Sequence, residues 1–222
     1  HNEILGKGGV GVSFGGTADS TLVNAGTISG GSGAKAVQFG AGNDRLFLRP
    51  VGTLVGGADG GAGTNMLELA AGNGDGTIAG IGTAFTKFQT VTVDANAHWT
   101  ATGATQIAVG TKLSAVGVLT LTGTTGLAGI IAGTGKVIVG GGTVTVAKGA
   151  ALTVSSVTLS GSSTLNVAGT MAYTGAFTQG AGTTLSLASG ATLNLTGNDH
   201  FAGTVSGAGK LALTRGASTF AG

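Results

Sequence analysis

Apolar and polar residues alternate along this chain in very short runs. The clearest lies between Gly133 and Ala150, GTGKVIVGGGTVTVAKGA. Val137-Ile138-Val139 and Val144-Thr145-Val146 each follow a glycine-rich corner, and Leu152-Thr153-Val154 and Val157-Thr158-Leu159 continue the series. Strands this short, separated by one tight bend, cannot build a hairpin sheet. They suit a solenoid, in which each strand lies on its equivalent in the next coil at about 4.8 Å. The period of two sends Val, Leu and Ile inward to stack in columns, while Thr, Ser and Lys point outward.

The same pattern extends over the rest of the sequence. Residues 1–38 open irregularly and settle into Thr21-Leu22-Val23-Asn24-Ala25-Gly26-Thr27-Ile28-Ser29-Gly30, which has the form of strand, corner, strand. Two related turns follow at 40–48 and 60–69, and a looser part at 71–100 ends in Thr90-Val91-Thr92-Val93-Asp94 and Ala97-His98-Trp99-Thr100. From about residue 101 the rungs become regular, with strand centres near 108, 120, 138, 145, 153, 158, 166, 186, 194 and 212. Three such strands make a coil of about 20 residues, and about ten or eleven coils make a rod near 50 Å long. Helical periodicity is hard to find, and glycine is too frequent for helix interiors. The expected fold is therefore all-β: a single-stranded parallel β-helix, with less regular coils over 1–100 and regular coils over 101–222 in one continuous solenoid.

Composition agrees with strands and turns and narrows the function classes. Among 222 residues there are 47 Gly, 1 Pro and no Cys, with 8% charged and 5% aromatic residues. The near absence of proline and of a G-x-y period excludes collagen, and 41% hydrophobic residues argue against simple disorder. Zero cysteine removes disulfides and thiolate metal sites. The formal charge is +2, and the ten cations are scattered singly, so no patch is present that could neutralise several phosphates and nucleic acid is not an expected partner. Leu127 to Ala132, the most apolar run, is far below the roughly 20 residues of a spanning helix. The ~10-residue alternating strands of a membrane barrel are missing too. No signal peptide opens the chain, which begins with His1. An internal segment of a longer protein is the expectation.

Three segments, GTGKVIVGGGTVTV (133–146), GAGTTLSLASGATLNLTG (180–197) and GAGKLALTRGASTFAG (207–222), resemble the strand repeats associated with bacterial autotransporters. In those repeats a G-x-G-x-L-x-L opening leads to a Thr/aromatic-Gly element, matched by Ser218-Thr219-Phe220-Ala221-Gly222. The succession Val23 to Ile28, Ala36 to Gly40, Gly42-Asn43-Asp44, Phe88 to Val93 and Trp99-Thr100 is similar to large passenger domains of that class. The resemblance implies a right-handed β-helix on the bacterial cell surface, engaged in adhesion or self-association. Its partners would be other copies of itself, a host or neighbouring cell surface, or glycans, and it would be exported through a translocator barrel elsewhere in the parent chain.

Candidate chemistry is sparse. Gly40 to Phe47 matches most of the calcium-binding nonapeptide G-G-x-G-x-D-x-U-x, and Gly60 to Leu67 matches it with Asn65 in place of Asp44. Neither motif is repeated in tandem, as a site with six to eight oxygen ligands requires; a corner ladder, with side chains bonded to neighbouring backbone, is the simpler reading. His98 and His200 lack a carboxylate at ligand or triad spacing, and His1 is terminal. The carboxylates Glu3, Asp19, Asp44, Asp59, Glu68, Asp75, Asp94 and Asp199 are mostly isolated. Asp75 and Asp94 are spaced by about one coil, making them the best pair for a glycosidase- or lyase-like site. No G-x-S-x-G, HExxH or P-loop is present. Threonine pairs at 90/92, 120/122 and 143/145 suggest an ice-binding ladder, but their uneven spacing argues against register. Trp99 and Tyr173 could stack on sugars, or be partly buried at corners. The sequence thus predicts no catalytic, cofactor or metal residue and a non-catalytic surface rod able to stack into filaments, with a carbohydrate-active enzyme or a calcium module as alternatives.

Overall fold

A computed structural model describes residues 3–221, so His1 lies outside the described residues. Every regular element among them is a strand of two to five residues, from Glu3–Leu5 to Ser218–Phe220, and none is a helix. Each strand pairs in parallel with equivalents about 21 residues away, giving a β-solenoid of about 10 turns. At the usual interstrand spacing the rod is about 50 Å long.

The coil has three faces. The first carries Glu3–Leu5, Thr27–Ser29 and Thr53–Val55, then an eight-strand sheet from Gly76–Ala79 to Ser218–Phe220. The second carries Val12–Ser13, Val37–Gln38, Ala58–Asp59 and Phe85–Thr86, then a six-strand sheet from Ala104–Ile107 to Thr204–Gly207. The third carries seven strands from Thr21–Asn24 to Ala151–Thr153, then Met171–Tyr173, Thr192–Leu195 and Lys210–Leu213. Nine of the ten expected strand centres fall inside strands, and position 108 lies just past Ala104–Ile107. Strands that the alternation does not single out, such as Thr124–Leu127 and Ile130–Ala132, fill the remaining places.

Inward columns form the core. On the third face Leu46, Leu67, Val91, Leu113, Ile131 and Leu152 lie one above another, all buried. On the first, Trp99, Leu119, Val137, Val157 and Phe177 do the same. Fully burying one such side chain is worth about 1.5–3 kcal/mol. A single coil contributes only a few of them, so stability comes from stacking on neighbours.

The corners explain the glycine content. Gly103, Gly123 and Gly142 enter the second face with positive φ on three successive coils. Their carbonyls accept the amides of Thr124, Thr143 and Thr164, respectively. Gly76 has a different reason: an added Cβ would lie 2.5 Å from the Trp99 indole on the next coil.

Coil length is not constant. Thr27 pairs with Thr53 and Ala58 with Phe85 in the first half, whereas Val118 pairs with Lys136 and Thr184 with Thr204 in the second. The longer early coils match the looser pattern over 1–100.

Candidate functional site

The most regular outer surface is the second face. Thr124, Thr143, Thr164, Thr184 and Thr204 occupy the same outward position on five successive coils, in direct register. The next outward position holds Gly126, Thr145, Asn166, Ser186 and Ser206. Ala128, Ala147, Ala168 and Ala188 follow, each donating its amide to the preceding coil. The alternate positions on the first four of these strands, among them Val144, Leu165 and Leu185, are buried, and on the last Val205 is exposed. No charged or aromatic side chain points outward from these strands. The pairs singled out in the sequence do not form this array. Thr90/Thr92 lie on the third face, Thr120/Thr122 on the first, and only Thr143/Thr145 on the second. The ladder is built from one threonine per coil.

A charged cluster sits on the third face. Arg45, Phe47 and Arg49 point outward from one coil, Glu68 from the next and Asp94 from the one after. Glu68 is only 8% exposed despite facing outward. Arg45 donates to its Oε2 through Nε at 2.9 Å and also through the terminal guanidinium nitrogen. Both arginine guanidiniums lie beside the Phe47 ring, at 5.8 and 5.6 Å from its centroid. Burial, a hydrogen bond to Glu68 and the Glu68 charge push the Asp94 carboxyl up to about 6, against the pull of Arg45. Two acids therefore lie side by side near one arginine.

This cluster replaces the acid pair expected from spacing. Asp75 and Asp94 lie at opposite ends of equivalent corners, because Gly76 pairs with Trp99 and so places Asp75 beside His98. The Asp75 carboxylate is 3.7 Å from His98 Nδ1, with both side chains largely exposed. Glu68 carried no pattern signal; only its register with Thr92, beside Asp94, brings it into the pair.

The remaining candidates are structural. Ser20 N–H donates to Asp44 Oδ1 at 2.7 Å, Asp44 N–H to Asn65 Oδ1 at 2.8 Å, and Asn65 N–H to Gln89 Oε1 at 2.6 Å. Asn65 Nδ2 donates to the carbonyls of Ala62 and Lys87. Asp44 and Asn65 are each 1% exposed. They form the corner ladder, in which Asp44 Oδ1 and Asn65 Oδ1 each accept a backbone amide while Asp44 Oδ2 is buried without a partner. His200 sits at an exposed rung position beside Thr219. Trp99 is buried and donates to the Ala70 carbonyl at 2.9 Å, and Tyr173 is buried with its hydroxyl toward the Ala176 carbonyl. Neither is a sugar platform. Asp199 is also buried: burial raises its carboxyl, the Phe177 amide partly offsets this, and its charge adds to the burial that raises the Tyr173 phenol.

Comparison with protein-family models, with curated proteins and with solved structures finds no match to the chain.

Proposed function

We propose that the chain is a non-catalytic rod of the bacterial cell surface, similar in role to the autotransporter passengers its sequence resembles, which works through contacts along its length. The observation that carries this reading is the uncharged, in-register second face, where short polar side chains repeat over five coils with no anchor residue. Such a surface suits many weak contacts with a repeating partner better than one pocket suits a small ligand. A second mode of association is end to end, through the unpaired edges that any stack of parallel strands presents. Such edges pair with whatever continues the solenoid, whether more of the same chain or another copy.

An enzymatic reading would rest on Glu68, Asp94 and Arg45. The site is unfavourable for that: Glu68 is only 8% exposed and its Oε2 is taken by Arg45, whereas the acid pair of a glycosidase must admit substrate or water between its carboxyls. Electron microscopy across a concentration series tests the proposal. Discrete rods of about 50 Å that bind cells or glycans, or uniform filaments, support it. Glycan cleavage abolished by Glu68→Gln would overturn it.

A further inference from the structure

The inward columns of the first face change character at one junction. Trp99, Leu119, Val137, Val157 and Phe177 stack in one column, and the residue that continues it is Asp199. In the neighbouring column Ala101, Leu121, Val139 and Leu159 are followed by Gln179 and then Phe201. Asp199 is 3% exposed and Gln179 is fully buried. Two polar side chains therefore enter a single junction, between Ala176–Gln179 and Asp199–Phe201, from its two sides.

Neither is fully satisfied there. Phe177 N–H donates to Asp199 Oδ1 at 3.2 Å, while Asp199 Oδ2 is buried without a partner. Gln179 Nε2 donates to the carbonyls of Thr183 and Thr204, while its Oε1 is also buried without a partner. A neutral carboxyl in this place forgoes a hydrogen bond; a carboxylate is a buried charge that needs a cation. None is at hand. His200, on the same strand, points outward to Thr219. The flanking strands Ala176–Gln179 and Ser218–Phe220 carry no charged residue. Across the interior stands the Tyr173 phenol, raised by burial and then by the Asp199 charge. Lys210 and Arg215 are exposed, and among the described residues no ion pair involves Asp199.

We infer that this junction is a built-in parting plane: loss of the Asp199 proton separates the coil that begins there from the preceding one, baring the edge of Ala176–Gln179. An edge bared in this way is open to pairing with another strand. Burial raises the Asp199 carboxyl from its ordinary 3.8, and the Phe177 amide offsets part of the rise. The closed junction thus holds the proton more tightly than the parted one. The stability this contributes is fully present below pH 3.8 and is lost as pH rises through the raised value. A local opening suffices, because each coil of a solenoid rests only on its neighbours. The inference concerns the stack itself and holds whatever the lateral faces bind.

Hydrogen exchange followed by mass spectrometry from pH 4 to 8 tests it, on wild type, Asp199→Asn and Asp94→Asn. Asparagine keeps an oxygen for the Phe177 amide and has no proton to lose. Exchange over 199–221 is taken relative to 101–160 in the same molecule, which cancels the intrinsic pH dependence of the chemistry. The expected wild-type ratio climbs by up to about tenfold per pH unit above pH 4 and then levels. Asp199→Asn should give a flat ratio, and Asp94→Asn the wild-type profile. Trypsin at pH 8 should also cut at Lys210 and Arg215 several-fold faster in wild type than in Asp199→Asn. A flat wild-type ratio overturns the inference, as does the same climb in Asp199→Asn. A climb abolished by Asp94→Asn assigns the effect to the third face and overturns it too. If Asp199→Asn does not fold, the wild-type ratio decides alone.

Discussion

Replacing Asp94 by asparagine should stabilise the protein at neutral pH and do nothing at low pH. Glu68 is nearly buried beneath Arg45, and Asp94 shares a hydrogen bond with it. Burial and this neighbour raise the Asp94 carboxyl from its ordinary 3.8 to about 6. The folded state thus binds the proton more tightly than the unfolded chain. The resulting stability is fully present below pH 3.8 and is lost as pH rises through about 6. Above that, two carboxylates lie on neighbouring coils with one arginine, bonded to Glu68, beyond them. A rise of this size corresponds to a ceiling of about 3 kcal/mol. Asp94 keeps partial access to water, which screens the repulsion, and about 1 kcal/mol is the expected net effect. Asparagine offers Glu68 an N–H at every pH. Thermal melts followed by circular dichroism from pH 4 to 8 should therefore show Asp94→Asn melting about 2–4 °C above wild type at pH 7.5. The difference should close below pH 4. A variant that is less stable at pH 7.5, or a gap that is the same at every pH, would refute the pairing of Asp94 with Glu68.

Other substitutions test the corners. Asn65→Ala leaves the buried Asp44 amide without its acceptor and should destabilise the early coils by about 1–3 kcal/mol, read from urea melts. Gly76→Ala drives a methyl into the Trp99 ring and should cost about 1–3 kcal/mol, with a change in tryptophan fluorescence on the same sample. Calcium chelation should leave the melting temperature unchanged, because among the described residues no group of three acidic or imidazole side chains gathers at that corner and a calcium ion needs six to eight oxygens; a fall of several degrees would restore a metal role to that corner.

The fold was legible because a period of two survives any change in coil length. Val137, Val139, Val144 and Val146 announce inward positions whatever they stack upon, and glycine marks the corners. The surface constellations were not legible, since they depend on which residue of one coil lies over which residue of another. A uniform coil of about 20 residues makes Asp75 and Asp94 look like neighbours. The coil there is longer, with Gly76 over Trp99, and the mismatch moves Asp75 to His98 and leaves Asp94 to Glu68. The three conspicuous threonine pairs lie on three different faces, as their uneven spacing along the chain indicates. The ladder at Thr124, Thr143, Thr164, Thr184 and Thr204 stayed hidden for another reason: each coil gives it a single threonine, and a lone outward threonine is ordinary in a strand. Trp99 reads in the sequence as a residue partly buried at a corner, whereas the structure buries it fully within a strand, over the Gly76 that makes room for it.

Everything proposed for the outer faces depends on that register, and distances between spin labels measure it directly. The chain has no cysteine, so paired cysteine labels can be placed without background. Labels at Thr124 and Thr204, four coils apart on the second face, should lie about 19 Å apart at the backbone. Labels at Thr100 and Thr219, six coils apart on the first, should lie about 29 Å apart. Two narrow distributions in that ratio are the predicted result. Broad distributions, or distances that do not grow with the number of coils, would contradict the stacked rod and the ladder with it.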